Sequence, residues 1–318
     1  MPKDLEKTIA IADKSTSKAV SKSQVSDSIV AYLRDGDEGS FRLCKSCIAR
    51  WIMQTTARFA RIMEKYNVVY LLSDRPLRLE DSDTIYRTVT SMSCEKEKPL
   101  LLVLQSYGGR IEPAYFIGKI LGAFKDLHIA VPRMAKSAAT LVCCAASRIH
   151  MGGLSELGPI DPQINGVPAL GLKNTIQHLA ELTVRFPEAT NLFIGYMCKS
   201  VDPMDLGYYE RIVESSMQYA ERLLQYAHPG LSTAQTRAIA QKLTYDYKDH
   251  GFVIDRQEAS NVFPSGSICF DTDEYGFSDI VYKEIEWMRQ VAKSEGYLLS
   301  FVGCGVDAPS FHKIPSKR

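Results

Sequence analysis

No stretch of this 318-residue chain is apolar for long enough to cross a membrane. The longest uninterrupted apolar runs, Val68 to Leu72, Leu100 to Leu104 and Leu141 to Ala146, span five or six residues, against the roughly 18 that a spanning helix needs. A bias of charge is missing too: 38 basic residues face 37 acidic ones, so composition carries no electrostatic footprint of nucleic acid. No periodic repeat is visible, which excludes solenoids and propellers. The first 28 residues place Lys3, Lys7, Lys14, Lys18 and Lys22 among six serines. They lack the apolar block of about 7 to 15 residues that a secretory signal requires, and a flexible tail is expected over 1–28. Eight scattered cysteines with no such signal predict reduced thiols and a cytoplasmic location. Only Cys44 and Cys47 have metal-ligand spacing, and with no second close pair neither a structural zinc nor a cofactor is expected.

What is present suits one large globular unit: 45% of residues are hydrophobic and 24% charged. A helix is expected from about Ser46 to Tyr66, with Ile48, Trp51, Ile52, Phe59, Ile62 and Met63 on one face. Strand Val68 to Leu72 follows, then a helix capped by Asp81 or Ser82, strand Leu100 to Leu104 and a helix over Glu112 to Phe124. Next come strand Leu127 to Val131, helix Ser137 to Ala146 and strand Arg148 to Met151. Short apolar strands alternating with helices predict an α/β fold built of βαβ units around a parallel sheet. After a Gly- and Pro-rich loop (Gly152 to Gly171) the pattern turns helical, including a long helix from about Pro203 to Tyr226. One domain over 29–308 with a helical C-terminal half is expected, and a frayed end over 309–318.

Chemistry concentrates at two strand ends. Gly108 and Gly109 follow the run Leu100 to Leu104, where paired glycines leave backbone N–H groups approachable. Ser137 stands where strand Leu127 to Val131 gives way to a small-residue helix. Ligand sites in such sheets lie past the carboxyl ends of the strands, so both features share a rim. A hydroxyl nucleophile and bare N–H donors are the two halves of acyl-transfer chemistry. Taken alone, Ser137 could equally be a helix cap and the glycine pair a tight turn.

The segments Gln105 to Gly109 (Gln-Ser-Tyr-Gly-Gly), Ala135 to Thr140 (Ala-Lys-Ser-Ala-Ala-Thr) and Ser155 to Gln163 (Ser-Glu-Leu-Gly-Pro-Ile-Asp-Pro-Gln) come in the order found in the serine dehydrogenase proteinase family. The chain resembles that family, whose relatives are signal peptide peptidase A and the Clp-type serine peptidases, over roughly residues 67–263. Gly195 to Met204 is similar to the segment that carries the catalytic lysine in signal peptide peptidase A, and the matching residue is Lys199. Leu243 to Ala259 resembles the family's late segment.

The resemblance implies a crotonase-like (Clp-type) fold, homo-oligomers, a peptide or unfolded-protein substrate, and an acyl-enzyme on Ser137 with a lysine base. Gly108, Gly109 and Ala138 would form the oxyanion site. A lysine acting as base must be neutral, which requires burial to bring its pKa from about 10.4 to between 7 and 8. Lys199 is favoured, with Lys136 and His250 as alternative bases. Where signal peptide peptidase A carries a serine that orients its lysine, this chain has Pro159, leaving Asp161 or Ser155 to orient the base. His178 and His250 otherwise read as structural, and Cys143 with Cys144 as core. Two other readings of the same fold compete: a catalytically silent peptide-binding scaffold and a crotonase-type enzyme acting on acyl thioesters. The latter would need a cationic pocket, which no Lys/Arg cluster marks.

Overall fold

The computed structural model describes residues 19–91, 98–164, 167–200 and 203–314. Elements run in chain order as α1 (Lys22–Asp35), α2 (Glu38–Thr55), α3 (Ala60–Lys65), β1 (Asn67–Ser73), α4 (Leu79–Ser91), β2 (Leu100–Ser106), α5 (Ile111–Gly122), β3 (Leu127–Val131), β4 (Met134–Ala135), α6 (Ala138–Cys143), β5 (Arg148–Met151), β6 (Glu156–Leu157), β7 (Gln163–Ile164) and β8 (Val167–Pro168). The C-terminal half continues with α7 (Ala169–Arg185), α8 (Thr190–Ser200), α9 (Pro203–Ala227), α10 (Thr233–Gln241), β9 (Ile254–Asp255), α11 (Arg256–Val262), β10 (Ile268–Phe270), α12 (Asp273–Ser294), β11 (Tyr297–Gly303) and β12 (Pro309–Lys313).

The main sheet has the order β10-β5-β3-β2-β1-β11-β12. Strands β10, β5, β3, β2 and β1 are parallel, and β11 and β12 close one edge antiparallel. Side chains alternate between the two faces of each strand. Val69 and Leu71 of β1 and Leu100, Leu102 and Leu104 of β2 join a core with α5, α6, α9 and α10. The intervening Val68, Tyr70, Leu72, Leu101 and Val103 pack against α1, α2 and α12. Both faces are therefore covered by helices, the α/β arrangement read from the sequence. Among the described residues no helix is long and apolar enough to cross a membrane.

Three expectations change. The expected tail is helical from Lys22, where Ser21 and Gln24 form a reciprocal cap and Val25 and Ile29 are fully buried; residues 1–18 lie outside the described residues. The expected frayed end is instead an edge strand, since Pro309 to Lys313 pairs along β11. The helix expected over Ser46 to Tyr66 breaks near its middle, where the hydroxyls of Thr55 and Thr56 bond to the carbonyls of Trp51 at 2.9 Å and Ile52 at 2.6 Å. Met63, placed inward by the longer helix, is consequently exposed.

A smaller layer of paired strands positions the rim. β4 pairs with β2 through Ala135 and Ser106, with β6 on its other side, and β6 pairs in turn with β9. A π-helical turn over Lys242–Asp246 follows α10, and the carbonyl of Leu243 accepts from the Ile160 N–H at 2.9 Å. That bond holds the loop after β6 beside the chain that leads to His250.

Candidate active site

Ser137 occupies a backbone position that sterics normally reserve for glycine. Its φ of 52° and ψ of −120° are those of the second residue of a type II′ turn. The closing bond of that turn is present, from Ala139 N–H to the Lys136 carbonyl at 2.9 Å. Holding a serine there costs about 1–3 kcal/mol and needs surrounding structure to enforce it. The surroundings supply this: Lys136 N–H donates to the Ser106 carbonyl at 3.0 Å, and Thr140 Oγ1 donates to the Ala135 carbonyl at 2.6 Å and accepts from Gly158 N–H at 3.1 Å. Ser137 precedes α6, yet its side chain makes no capping bond, so helix capping does not account for it.

Gly108 lies directly against this turn. A Cβ on Gly108 would meet the Lys136 carbonyl oxygen at 2.6 Å and the Ser137 Cβ at 2.9 Å, so only glycine lets the two segments approach this closely. Leu77 brackets the neighbouring Gly109, donating to the Gly108 carbonyl at 2.8 Å and accepting from the Arg110 N–H at 3.1 Å. In such a parallel bridge the central residue's own N–H points away from the bridging partner. Ala138 is the first residue of its helix, where the N–H has no intrahelical acceptor. Two donors thus flank Ser137.

A cavity of about 570 Å³ opens over these residues. Its lining includes Tyr107, Gly108, Gly109, Ser137 and Ala138, with Ile212 and Ser216 of α9 across from them, and also His250. His250 Nδ1 lies 2.7 Å from Asp161 Oδ1, across 89 positions of sequence. Gln163 Nε2 donates to the other carboxylate oxygen at 3.2 Å. The hydrogen bond to Asp161 raises the His250 pKa above the ordinary imidazole value, and partial burial opposes it. With Nδ1 engaged by the carboxylate, Nε2 is the nitrogen left for chemistry.

The other expected site residues fall elsewhere. Lys136 is turned away into an ion pair with Glu156 at 3.2 Å and contacts to the carbonyls of Leu157 and Phe252 at 3.5 and 3.4 Å. Ser155 is a buried staple of the loop after β5, donating to the Val131 carbonyl at 2.6 Å and accepting from Gly152 N–H at 2.8 Å. Lys199 is exposed on α8 and does not line the cavity. His178 is exposed on α7, 4.0 Å from Glu181. Cys143 and Cys144 are fully buried, with the Cys144 thiol pushed up to about 12 by burial.

Several lining residues had no signal of their own in the sequence. Asp74, 3.0 Å from the buried guanidinium of Arg289, and Ile212 and Ser216 belong to distant segments that only the fold gathers. Tyr107 and Arg110 flank the glycine pair and could have been read from that position.

Residues 44–184 match the family described as ClpP-like SDH-type serine proteinase. Two uncharacterized proteins of Methanocaldococcus jannaschii are similar in sequence. One is 33% identical over 102 residues, covering 32% of this chain and 35% of the relative. The other is 25% identical over 135 residues, covering 42% of this chain and 44% of the relative. The chain therefore spans less than half the length of either. Among solved structures, a serine-to-alanine mutant of the 1510-N membrane-bound stomatin-specific protease is similar with a TM-score of 0.42 at 15% identity, over 66% of this chain and 83% of that one. A lysine-to-alanine mutant of the same protease, in complex with a substrate peptide, gives 0.41 at 15% identity, over 79% and 88%.

Proposed function

We propose that the chain, whose residues 44–184 match the family described as ClpP-like SDH-type serine proteinase, hydrolyses peptide bonds through an acyl-enzyme on Ser137, with His250 as general base and Asp161 orienting it. The observation that carries this reading is one cavity lined by a serine in a glycine-type turn, two flanking N–H donors and a histidine already paired to a carboxylate.

Ser137 Oγ attacks the peptide carbonyl while His250 Nε2 takes its proton. The N–H groups of Gly109 and Ala138 receive the oxyanion, and Gly108 keeps the serine turn close enough for them to act together. Collapse of the tetrahedral intermediate breaks the C–N bond, and the imidazolium gives its proton to the leaving amine. Water, deprotonated by the same imidazole, then hydrolyses the ester. Asp161 holds the tautomer and stabilises the imidazolium.

The Ser-Lys dyad implied by the resemblance to signal peptide peptidase A assigns the base to Lys199. Exposure of Lys199 on α8 and its absence from the cavity lining favour His250, because a general base must come within hydrogen-bond reach of the hydroxyl it deprotonates. Arg110 is the cation among the lining residues, which gives little to hold the phosphates of an acyl thioester cofactor. The arm of α7 to α9 exposes Val184, Leu192, Ile194, Tyr196 and Tyr208, and we read this apolar surface as the contact through which copies of the chain assemble.

A fluorophosphonate probe tests the assignment. It should label the wild type and lose its target in Ser137→Ala and most of its rate in His250→Gln. An unlabelled wild type with a folded spectrum would leave the silent scaffold or the thioester enzyme. Loss of labelling in Lys199→Met but not in His250→Gln would restore the lysine dyad.

A further inference from the structure

On the sheet face opposite α6, two strands, a helix and the residue before β1 direct their polar side chains at one buried point. His128 is the second residue of β3, His150 the third of β5, and Glu274 stands in the first turn of α12. Donor atoms of these three residues all lie within 4.8 Å of one another, and all three residues are buried. Tyr66, just before β1, adds its hydroxyl, 3.0 Å from His128 Nδ1 and 2.7 Å from Glu274 Oε1.

We propose that His128 Nδ1, His150 Nε2 and the Glu274 carboxylate form a binding site for a divalent transition ion of the zinc class, with Tyr66 beside it. Imidazole and carboxylate donors of this kind suit zinc. The supporting groups are arranged as in metal sites, where each ligating ring fixes its second nitrogen on a hydrogen-bond partner. His128 Nε2 lies 3.0 Å from Asp126 Oδ2, and His150 Nδ1 lies 2.8 Å from Thr272 Oγ1. Asp126 is itself bonded by Ser147. Each ring therefore aims its remaining nitrogen at the common point, and the two nitrogens are 2.9 Å apart.

The dimensions are close to what an ion needs. Zinc bound tetrahedrally at about 2.0–2.1 Å separates its donors by roughly 3.3 Å. The two ring nitrogens, now 2.9 Å apart, would withdraw by only a few tenths of an ångström, and a Glu274 oxygen, which lies within 4.8 Å of both, would move in. Burial lowers the pKa of both imidazoles, which leaves the neutral lone-pair form that a metal takes. Burial would raise the Glu274 carboxyl, but the hydrogen bonds it accepts from Tyr66, from the backbone and from Lys65 hold it at about 2, and so it supplies a negative charge.

Without an ion the same groups close as a proton network, in which His150 Nε2–H donates to His128 Nδ1. On binding, that proton moves to His150 Nδ1 and is donated to Thr272 Oγ1, so neither ring loses a proton overall. Lys65, 3.1 Å from Glu274 and largely exposed, turns outward into water. The bound ion would tie the start of α12 to two central strands.

Equilibrium dialysis of the chelator-stripped full chain against zinc, with metal content measured, tests the site. One equivalent should bind and raise Tm by about 5 °C at saturation. His150→Gln should weaken that binding by about 100-fold or more, while a Cys44→Ser, Cys47→Ser variant should retain it. A wild type that takes up no zinc, or one whose zinc is lost only in the cysteine variant, overturns the proposal. Long-range 1H–15N spectra of the wild-type histidine rings need no substitution. Zinc should perturb the ring nitrogens of His128 and His150 together, and unchanged spectra at saturating zinc would equally sink the site.

Discussion

Two histidines in this molecule each lean on an aspartate, and their protonation goes in opposite directions. His250 lies 2.7 Å from Asp161 with 30% of its side chain exposed, and its pKa is raised. His128 lies 3.0 Å from Asp126 with only 6% exposed, and its pKa is lowered. Nearly the same pair thus yields opposite outcomes, because the hydrogen bond outweighs burial at His250, whereas burial, which disfavours the charged ring, is the larger effect at His128. At the cavity rim the balance leaves a ring that can accept and return a proton. Deep against α12 it leaves a neutral lone-pair donor, as does the neighbouring His150, whose pKa is pushed down to about 4 chiefly by burial.

Substituting each histidine sharpens this contrast most strongly. His250→Gln and Ser137→Ala should each lower kcat by about 10⁴ to 10⁶-fold with little change in Tm, since both sit on the open side of the fold. His128→Gln should act on stability instead, lowering it by about 2 kcal/mol by breaking a buried hydrogen-bond network. Peptide turnover and thermal melts on the three variants separate the effects. A catalytic loss in Lys199→Met as large as that in His250→Gln would break the comparison, because the rim histidine would then have no special role.

Next in size is the carboxylate that distinguishes the rim pair. Asp161→Asn keeps the shape but removes the charge that stabilises the imidazolium, so kcat/KM should fall by about 10² to 10⁴-fold. The sign of the pH effect follows from the same bond. His250 acts as a base only when neutral, and Asp161 raises its pKa, so the wild-type rate should climb through a pH above the ordinary imidazole value near 6.5. In Asp161→Asn the climb should move toward acid. A pH profile whose rising limb does not shift would detach Asp161 from the base.

How much of this was legible in the sequence depends on how local each signal is. Ser137 and the glycine pair announce themselves because each sits past a short apolar run, and a parallel sheet brings such ends together. The strands Leu127 to Val131 and Arg148 to Met151 carry their own boundaries for the same reason. The His250–Asp161 pair, by contrast, is made by the bond from Ile160 to the Leu243 carbonyl and by β9 lying against β6, neither of which has a sequence pattern. His128, His150 and Glu274 are separated by 22 and 124 positions, with no metal-ligand spacing for a motif search to find. Lys199 drew attention through its segment's similarity to a relative, and local similarity says nothing about whether a helix folds over the rim. The edge strand Pro309 to Lys313 carries no signal of its own, because a five-residue stretch reads alike whether it is paired or free.

A smaller effect comes from the close packing that the rim needs and the buried cluster does not. Gly108→Ala forces a Cβ to within 2.6 Å of the Lys136 carbonyl, and at a φ of 95° the new side chain is strained as well. The serine turn must retreat, and displacement of a nucleophile by about 1 Å costs roughly 10²-fold in rate. Turnover of the folded variant checks this, and a rate within threefold of wild type would mean that Gly108 merely forms a turn.

The smallest expected signal is the thermodynamic trace of the rim pair. A histidine whose folded pKa is raised contributes stability that is fully present below its unfolded value near 6.5 and disappears as pH rises through the folded pKa. The Tm gap between wild type and His250→Gln should therefore be widest in mild acid, at about 1 to 3 °C for a partly exposed pair, and close as the solution becomes alkaline. Melts at a series of pH values measure it in the absence of any substrate. A gap that widened with rising pH would mean that the folded protein prefers the neutral ring, and the rim histidine would then share the electrostatics of the buried pair rather than oppose them.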